Sequence, residues 1–331
     1  MSITSSLSEE ETGVKHYIGV DLGGTNLAAG VVREDGAILE VMSVPTDQSW
    51  GKDTLCERIA DLCKKLMKRG NVSVTAIGVG VPGTANLETG GMEYANNLAA
   101  NGVRLVEELE KRLNLPVAME NDANAAAWAE YCLGVGAKTS DFLMVTLGTG
   151  VGGGIILGGR MVRGVNFAAG EFGHMMLHAG GRACTCGRRG CLEQYASATG
   201  LILDAKEQIE NEPDGALAKA EKAGELNGKT IFSLAASADP GAMAVRARFL
   251  ADLSDGLIDL INIFQPQVIA LGGGIGNGAS GFLEELREKI AKFSYSRDAK
   301  RQTQVLAAKL GNDAGILGAA LVAKELEIAG R

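Results

Sequence analysis

The chain has 331 residues, enough for two domains or one large one. Lys plus Arg is 32 against 40 for Asp plus Glu, a net charge of −8, and no basic run marks a nucleic-acid surface. Hydrophobic residues at 46% and charged residues at 22% exclude a chain disordered over most of its length. The 46 glycines stand out at about twice the usual ~7%. They cluster without a period, which excludes collagen and points to sites lined by backbone.

The start of the chain, residues 1–14, is polar and predicts a loose tail with no secretion signal. Lys15 to Val20 predicts a strand ending at Asp21, then a turn at Gly23-Gly24. Leu27 to Val32 and Ala37 to Val44 complete a β-meander. Asp53 to Arg69 predicts a helix with Leu55, Ile59, Leu62 and Leu66 on its apolar face. Val74 to Val81 reads as a buried strand ended by Pro82-Gly83, and Val103 to Leu113 as a second helix. Pro116 to Met119 predicts a strand, and Ala123 to Cys132 an alanine-rich helix closed by Gly134. Asp141 to Leu147 and Gly154 to Leu157 read as strands about a glycine turn. The uncharged run from Phe142 to Gly159 is too glycine-rich to span a membrane. Leu250 to Ile263 predicts a helix, Val268 to Leu271 a strand, and Ala314 to Leu326 a closing helix. Alternating strands and helices mean an α/β fold. Val20-Asp21-Leu22-Gly23-Gly24-Thr25 and Val145-Thr146-Leu147-Gly148-Thr149-Gly150 share a strand–Leu-Gly–turn skeleton, which suggests two related lobes.

Glycine turns let backbone N–H groups approach an anion without obstruction. Three follow apolar strands: Gly23-Gly24-Thr25, Gly148-Thr149-Gly150 continued by Gly152 to Gly154, and Gly272-Gly273-Gly274. Each alone is consistent with a plain tight turn; together they point to a nucleotide phosphate site. No glycine turn is followed by the lysine that a P-loop requires. Gly148-x-Gly150-x-x-Gly153 matches the dinucleotide fingerprint, but an apolar, glycine-broken strand follows it where that fingerprint must open a helix.

Cys184, Cys186 and Cys191, with His174 upstream, give the soft and borderline ligands of a tetrahedral zinc site, with His178 a rival fourth ligand. Three clustered cysteines leave no even pairing, which argues against disulfides, and with no secretion signal the six cysteines are expected in a reducing cytoplasm. Cys56, Cys63 and Cys132 read as core, and His16 as a strand residue. Glu120-Asn121-Asp122 sits between a strand and a helix. There, either Asn121 or Asp122 caps the helix, or the segment presents a catalytic carboxylate at a strand end facing a cleft. Asp21 either ends a strand or orients Mg²⁺ beside a phosphate turn. Glu171 and Glu193 flank the cysteine segment and could bind hydroxyls.

These segments resemble the ROK-family sugar kinases, and among them the bacterial glucokinases. The resemblance rests on Asp21-Leu22-Gly23-Gly24-Thr25-Asn26, Gly78 to Gly83, Glu120 to Ala126, Leu147 to Gly154, Gly170-Glu171-Phe172-Gly173-His174-Met175, Cys184-x-Cys186-Gly187-x-x-Gly190-Cys191-Leu192-Glu193 and Leu271 to Gly274, in that order. It covers about residues 16–325, and the cysteine motif is its most specific part. Phe172 stands where an aliphatic residue is common, which touches nothing catalytic.

The resemblance implies a two-lobed actin-like ATPase (ribonuclease H-like) fold with a cleft. The lobes would be 15–134, completed by the C-terminal helix 314–331, and 135–313, with a zinc segment at 171–193. ATP with Mg²⁺ would lie across Asp21, Gly23, Gly24, Thr25 and Asn26 and across Gly148, Thr149 and Gly150, with Gly272, Gly273 and Gly274 near the nucleoside. Asn121, Asp122, Glu171, His174 and Glu193 would bind the sugar. Asp122 would be the base for the 6-hydroxyl of glucose, and His174, Cys184, Cys186 and Cys191 would hold a structural zinc. A homodimer or homotetramer is expected. Rival readings are a kinase for N-acetylmannosamine, N-acetylglucosamine, allose or fructose, and a sugar-sensing regulator. The regulator needs a DNA-binding helix-turn-helix, for which the roughly 15 residues before the first strand, acidic on balance, are expected to be too few. Polyphosphate as donor fits poorly with the low basic content.

Overall fold

The computed structural model describes residues 13–95, 98–278 and 281–328. Of the expected polar tail, residues 1–12 lie outside these, as do residues 329–331, to which the closing helix is expected to extend. In chain order the elements are β1 (His16–Leu22), β2 (Asn26–Arg33), β3 (Ile38–Pro45), α1 (Lys52–Gly70), β4 (Val74–Val81), β5 (Thr84–Asn86), β6 (Gly91–Tyr94), α2 (Leu105–Leu113), β7 (Val117–Asn121) and α3 (Asp122–Leu133). The chain continues with β8 (Phe142–Leu147), β9 (Val151–Leu157), β10 (Arg160–Met161), α4 (Ala198–Asn211), α5 (Ala216–Lys222) and α6 (Gly228–Ala236). It ends with α7 (Pro240–Phe264), β11 (Val268–Gly272), α8 (Gly273–Gly276), α9 (Leu283–Phe293), β12 (Gln304–Ala307) and α10 (Ala314–Ile328).

The chain divides into two compact units. Unit 1 runs to Ala129 and adds Gly164–Ala168 and the chain from Asp313; unit 2 is Glu130–Arg163 with Ala169–Asn312. The two sheets repeat one plan, β3-β2-β1-β4-β7 in unit 1 and β10-β9-β8-β11-β12 in unit 2. In each, an antiparallel hairpin (β1/β2, β8/β9) is followed by two parallel additions. The faint repeat of Leu-Gly turns is thus the trace of two like sheets, each with its turn at the tip of the first hairpin.

In unit 1, the helix face of Leu55, Ile59, Leu62 and Leu66 is buried, with Cys56 and Cys63 beside it. Helix α10 packs on β1 and β4 through small residues. A Cβ on Gly19 would collide with the carbonyl of Ile316, and one on Gly78 with that of Ala319. Backbone therefore lies directly on backbone, and a single methyl overpacks it. Gly78→Ala should lose about 1–3 kcal/mol of stability in denaturant unfolding; an unchanged midpoint would mean that α10 shifts freely on the sheet.

Several expectations are corrected. Val103 lies in a bridge to Met92, and α2 starts at Leu105. Strand β9 begins at Val151, so Gly152 to Gly154 are strand residues: a Cβ at Gly153 would strike the Phe172 ring. Cys132 is half-buried. Gly134 does not close α3 through left-handed backbone; its missing side chain makes room for the buried Glu130 carboxylate. That carboxylate accepts from the N–H groups of Val135 (3.1 Å), Lys309 (2.7 Å) and Leu310 (2.6 Å). Helix α7 starts ten residues earlier than expected, where Asp239 caps it through the Ala242 N–H (2.8 Å) and Pro240 opens it. No helix among the described residues is long and apolar enough to cross a membrane.

Candidate active site and metal cluster

In open α/β sheets, ligands gather at the carboxyl ends of parallel strands. In unit 1 those ends carry Asp21 on β1 and Asn121-Asp122 after β7, with β4 paired to both strands. Asp21 pairs with Gly80 across the sheet, and Gly80 faces the Cα of Asp122. Burial pushes the Asp21 carboxyl above its ordinary range. A cation beside it would supply the missing compensation. The Gly23-Gly24-Thr25 turn closes the β1/β2 hairpin, with the Gly23 N–H on the Asn26 carbonyl (2.9 Å) and the Thr46 N–H on that of Thr25 (2.8 Å).

Asn121 and Asp122 take different roles. Asn121 Oδ1 accepts from the Asn124 N–H (3.0 Å), the bond of a helix cap, while its Nδ2 donates to the Gly83 carbonyl (3.0 Å). One N–H and one lone pair of the amide remain for a ligand. The half-buried Asp122 is the first residue of α3 and accepts from the Ala123 N–H (2.8 Å). A helix N-terminus accommodates a carboxylate well. Glu120 is buried and accepts from the Asn121 N–H and Asn124 Nδ2.

In unit 2 the corresponding ends carry the other two glycine turns. The Gly148 N–H binds the Gly150 carbonyl (3.0 Å), closing the β8/β9 hairpin. Its outer face is tied to the start of α4, where the Ala198 N–H reaches the Gly148 carbonyl (2.9 Å) and Thr199 Oγ1 reaches that of Thr149 (2.7 Å). Gly272 ends β11, and Gly273, with φ +78°, backs directly onto Leu147. A side chain at Gly273 would be barred by both strain and collision. These two turns line a cavity of about 1000 Å³ walled by Phe232 and Ala235 of α6, Met243 and Ala247 of α7, and Phe282. Such a volume, largely apolar with a backbone-lined floor, suits a nucleoside. The wall escaped sequence reasoning because nothing in α6 or α7 marks it. Caps did mark the helix starts: Asn227 accepts from the Thr230 N–H, and Ser197 from that of Gly200.

The cysteine segment folds on itself. Ala183 bridges Arg189, Met176 bridges Cys191, and Gly187 and Gly190 turn through positive φ. His174, Cys184, Cys186 and Cys191 bring one ligand atom each to within 4.8 Å of one another. Cys186 and Cys191 sulfurs are 3.6 Å apart, and Cys184 Sγ is 3.7 Å from His174 Nδ1. A tetrahedral zinc at ~2.3 Å from sulfur and ~2.0 Å from nitrogen sets such atoms roughly 3.5–3.8 Å apart, so the set fits. The Arg188 backbone N–H draws the Cys186 thiol below its ordinary range, and burial pushes that of Cys191 up. His178 is outside the cluster: its Nε2 sits 2.7 Å from Asp252 Oδ1, and its ring stands edge-on to Tyr195.

Glu171 is exposed just before a short 3₁₀ turn, Phe172–His174. Glu193 lies on a second one, Leu192–Gln194, directly after Cys191. Its Oε2 accepts from the Val151 N–H (3.0 Å), at the exit of the glycine turn.

Two α/β units on one strand order, each with a glycine turn at its first hairpin, define the actin-like, ribonuclease H-like class of ATPase folds. Sequence relatives narrow it. The ROK family model matches residues 17–326. A glucokinase of Streptomyces coelicolor is 37% identical over 93% of this chain and 97% of its own. An N-acetylmannosamine kinase of Escherichia coli is 33% identical over 93% and 98%. A crystal structure of a ROK family glucokinase from Streptomyces griseus, in complex with glucose and AMPPNP, superposes with a TM-score of 0.81 at 35% identity, covering 94% of this chain and 99% of that one. The chain belongs to the ROK family.

Proposed function

We propose that the protein is a glucokinase, transferring the γ-phosphoryl group of ATP to the 6-hydroxyl of D-glucose. The observation that carries this reading is the unit 2 cavity floored by Gly148-Thr149 and Gly274, in a chain whose glucokinase relatives match it almost end to end. In phosphoryl transfer the protein mainly positions the reactants and stabilises spread charge. The turns at 23–26, 148–150 and 272–274 would offer backbone N–H groups to the phosphates and the nucleoside side. Mg²⁺ accompanies ATP in such kinases generally, and Asp21 is suited to orient it.

Glu171, His174 and Glu193 would hold the sugar hydroxyls, with the remaining N–H and lone pair of Asn121. Asp122 would accept the 6-hydroxyl proton as that oxygen bonds to the γ-phosphorus and the bond to the β-phosphate oxygen breaks, releasing ADP. Zinc is the metal we assign to the cysteine cluster, with four protein ligands and no open position, hence structural. The chain would act in the cytoplasm, as six free cysteines favour, and as a homodimer or homotetramer.

A coupled ADP-release assay over a panel of hexoses tests the reading: glucose should give the highest kcat/KM. N-acetylmannosamine is the second candidate, supported by the relatives that phosphorylate it by name. Sugar-independent ATP hydrolysis, with no phosphorylated hexose, would sink both.

A further inference from the structure

Glu193, proposed above as a sugar contact, also reaches the second glycine turn. Its Oε2 accepts the Val151 N–H at 3.0 Å, the first N–H beyond the phosphate turn, and lies so close to Gly150 that any Cβ there would collide with it. Gly150 does not lie at positive φ, so what a side chain there would meet is the Glu193 carboxylate, which would have to swing away. Oε1 takes no hydrogen bond among the described residues. The same short stretch, from Glu193 to Thr199, also supplies the turn's two outer tethers, from the Ala198 N–H to the Gly148 carbonyl and from Thr199 Oγ1 to that of Thr149.

We infer that Glu193 couples the sugar site to the phosphate turn, one oxygen holding the turn and the other taking a sugar hydroxyl, so that each ligand raises the protein's affinity for the other. This rests on the sugar-binding reading of Glu193. A hydroxyl that fixes the carboxylate also fixes the Val151 N–H and the turn leading into it. The nucleotide then meets a turn that is already ordered, and needs to order less of it on binding. Linkage makes the effect reciprocal: the factor by which a bound nucleotide raises glucose affinity equals the factor by which glucose raises nucleotide affinity.

The test measures glucose affinity calorimetrically, with and without a saturating non-hydrolysable ATP analogue. Wild-type protein should bind glucose at least about fivefold more tightly with the analogue present. Glu193→Asp, one methylene too short to span both ends, should bring that factor to about one. Gly150→Ala, on the nucleotide side, should lower glucose affinity severalfold even without nucleotide, because its methyl displaces Glu193. In a Glu193→Asp background the same alanine should cost little further glucose affinity, the non-additivity of a shared contact. Should Gly150→Ala fail to fold, the coupling factor of Glu193→Asp decides alone. A factor that survives Glu193→Asp, or a folded Gly150→Ala variant with unchanged glucose affinity, overturns the link. A wild-type protein that binds no hexose at all overturns the functional reading instead.

Discussion

Asp122→Asn should lower kcat at least about 10²-fold, the range expected when a general base is removed, while leaving the unfolding midpoint nearly unchanged. The structure sharpens this expectation. Helix α3 is capped by Asn121, through the Asn124 N–H, and not by Asp122. Asp122 can therefore change without uncapping the helix, and even Asp122→Ala should fold normally. Asn121→Ala should do the opposite to stability, costing about 0.5–2 kcal/mol for the cap, besides whatever the lost amide costs in sugar affinity. The two neighbours thus separate the base from the cap. KM for glucose and for ATP should move little in Asp122→Asn, because the loss falls on the transition state. Near-wild-type kcat would remove Asp122 from the chemistry.

The hairpins and their turns were legible because an apolar strand running into Leu-Gly leaves few alternatives. Position by position, Val74–Val81 emerged as read, and the buried face of α1 followed its three-and-four spacing; α2 buries Leu105, Leu109 and Leu113 instead, with Val106 half-buried. The metal cluster was legible too: short Cys spacing confines its ligands to one small segment, and the structure brings His174 to it and leaves His178 paired with Asp252. What the sequence hid was the wall of the unit 2 cavity. Helices α4 to α6 and the first half of α7 are alanine- and glycine-rich, with weak periodicity, and their cavity faces are residues such as Ala235 and Ala247 that look like any helix interior. The division of work between Asn121 and Asp122, and the reach of Glu193 to Val151, depend on side-chain geometry that spacing cannot carry.

Removing the metal should cost glucose affinity about 10²-fold, the upper end of what disturbing a metal site's supporting groups does, without unfolding the chain. Structural zinc contributes about 10–16 kcal/mol in small peptides at neutral pH. Here unit 2 has its own core in β8, β9, β11 and α7; Phe172 and Leu192 at the ends of the segment belong to it, but the four ligand residues do not. Metal loss should therefore loosen the segment between those two anchors and spare the rest. Trypsin reports this directly: Arg188 and Arg189 are exposed there, and cleavage at them should accelerate on chelation or in Cys186→Ser. The segment does not end at the sugar side, however. Glu193 follows Cys191 by two residues and holds the Val151 N–H, so nucleotide affinity should also fall, though less, because Ala198 and Thr199 still tether the turn. His174→Ala should weaken metal and glucose binding together, whereas His178→Ala should keep a full complement of metal. Much less than one zinc per chain in freshly purified protein, or Cys186→Ser with unchanged KM for glucose, would show that the cluster does not support the sugar site.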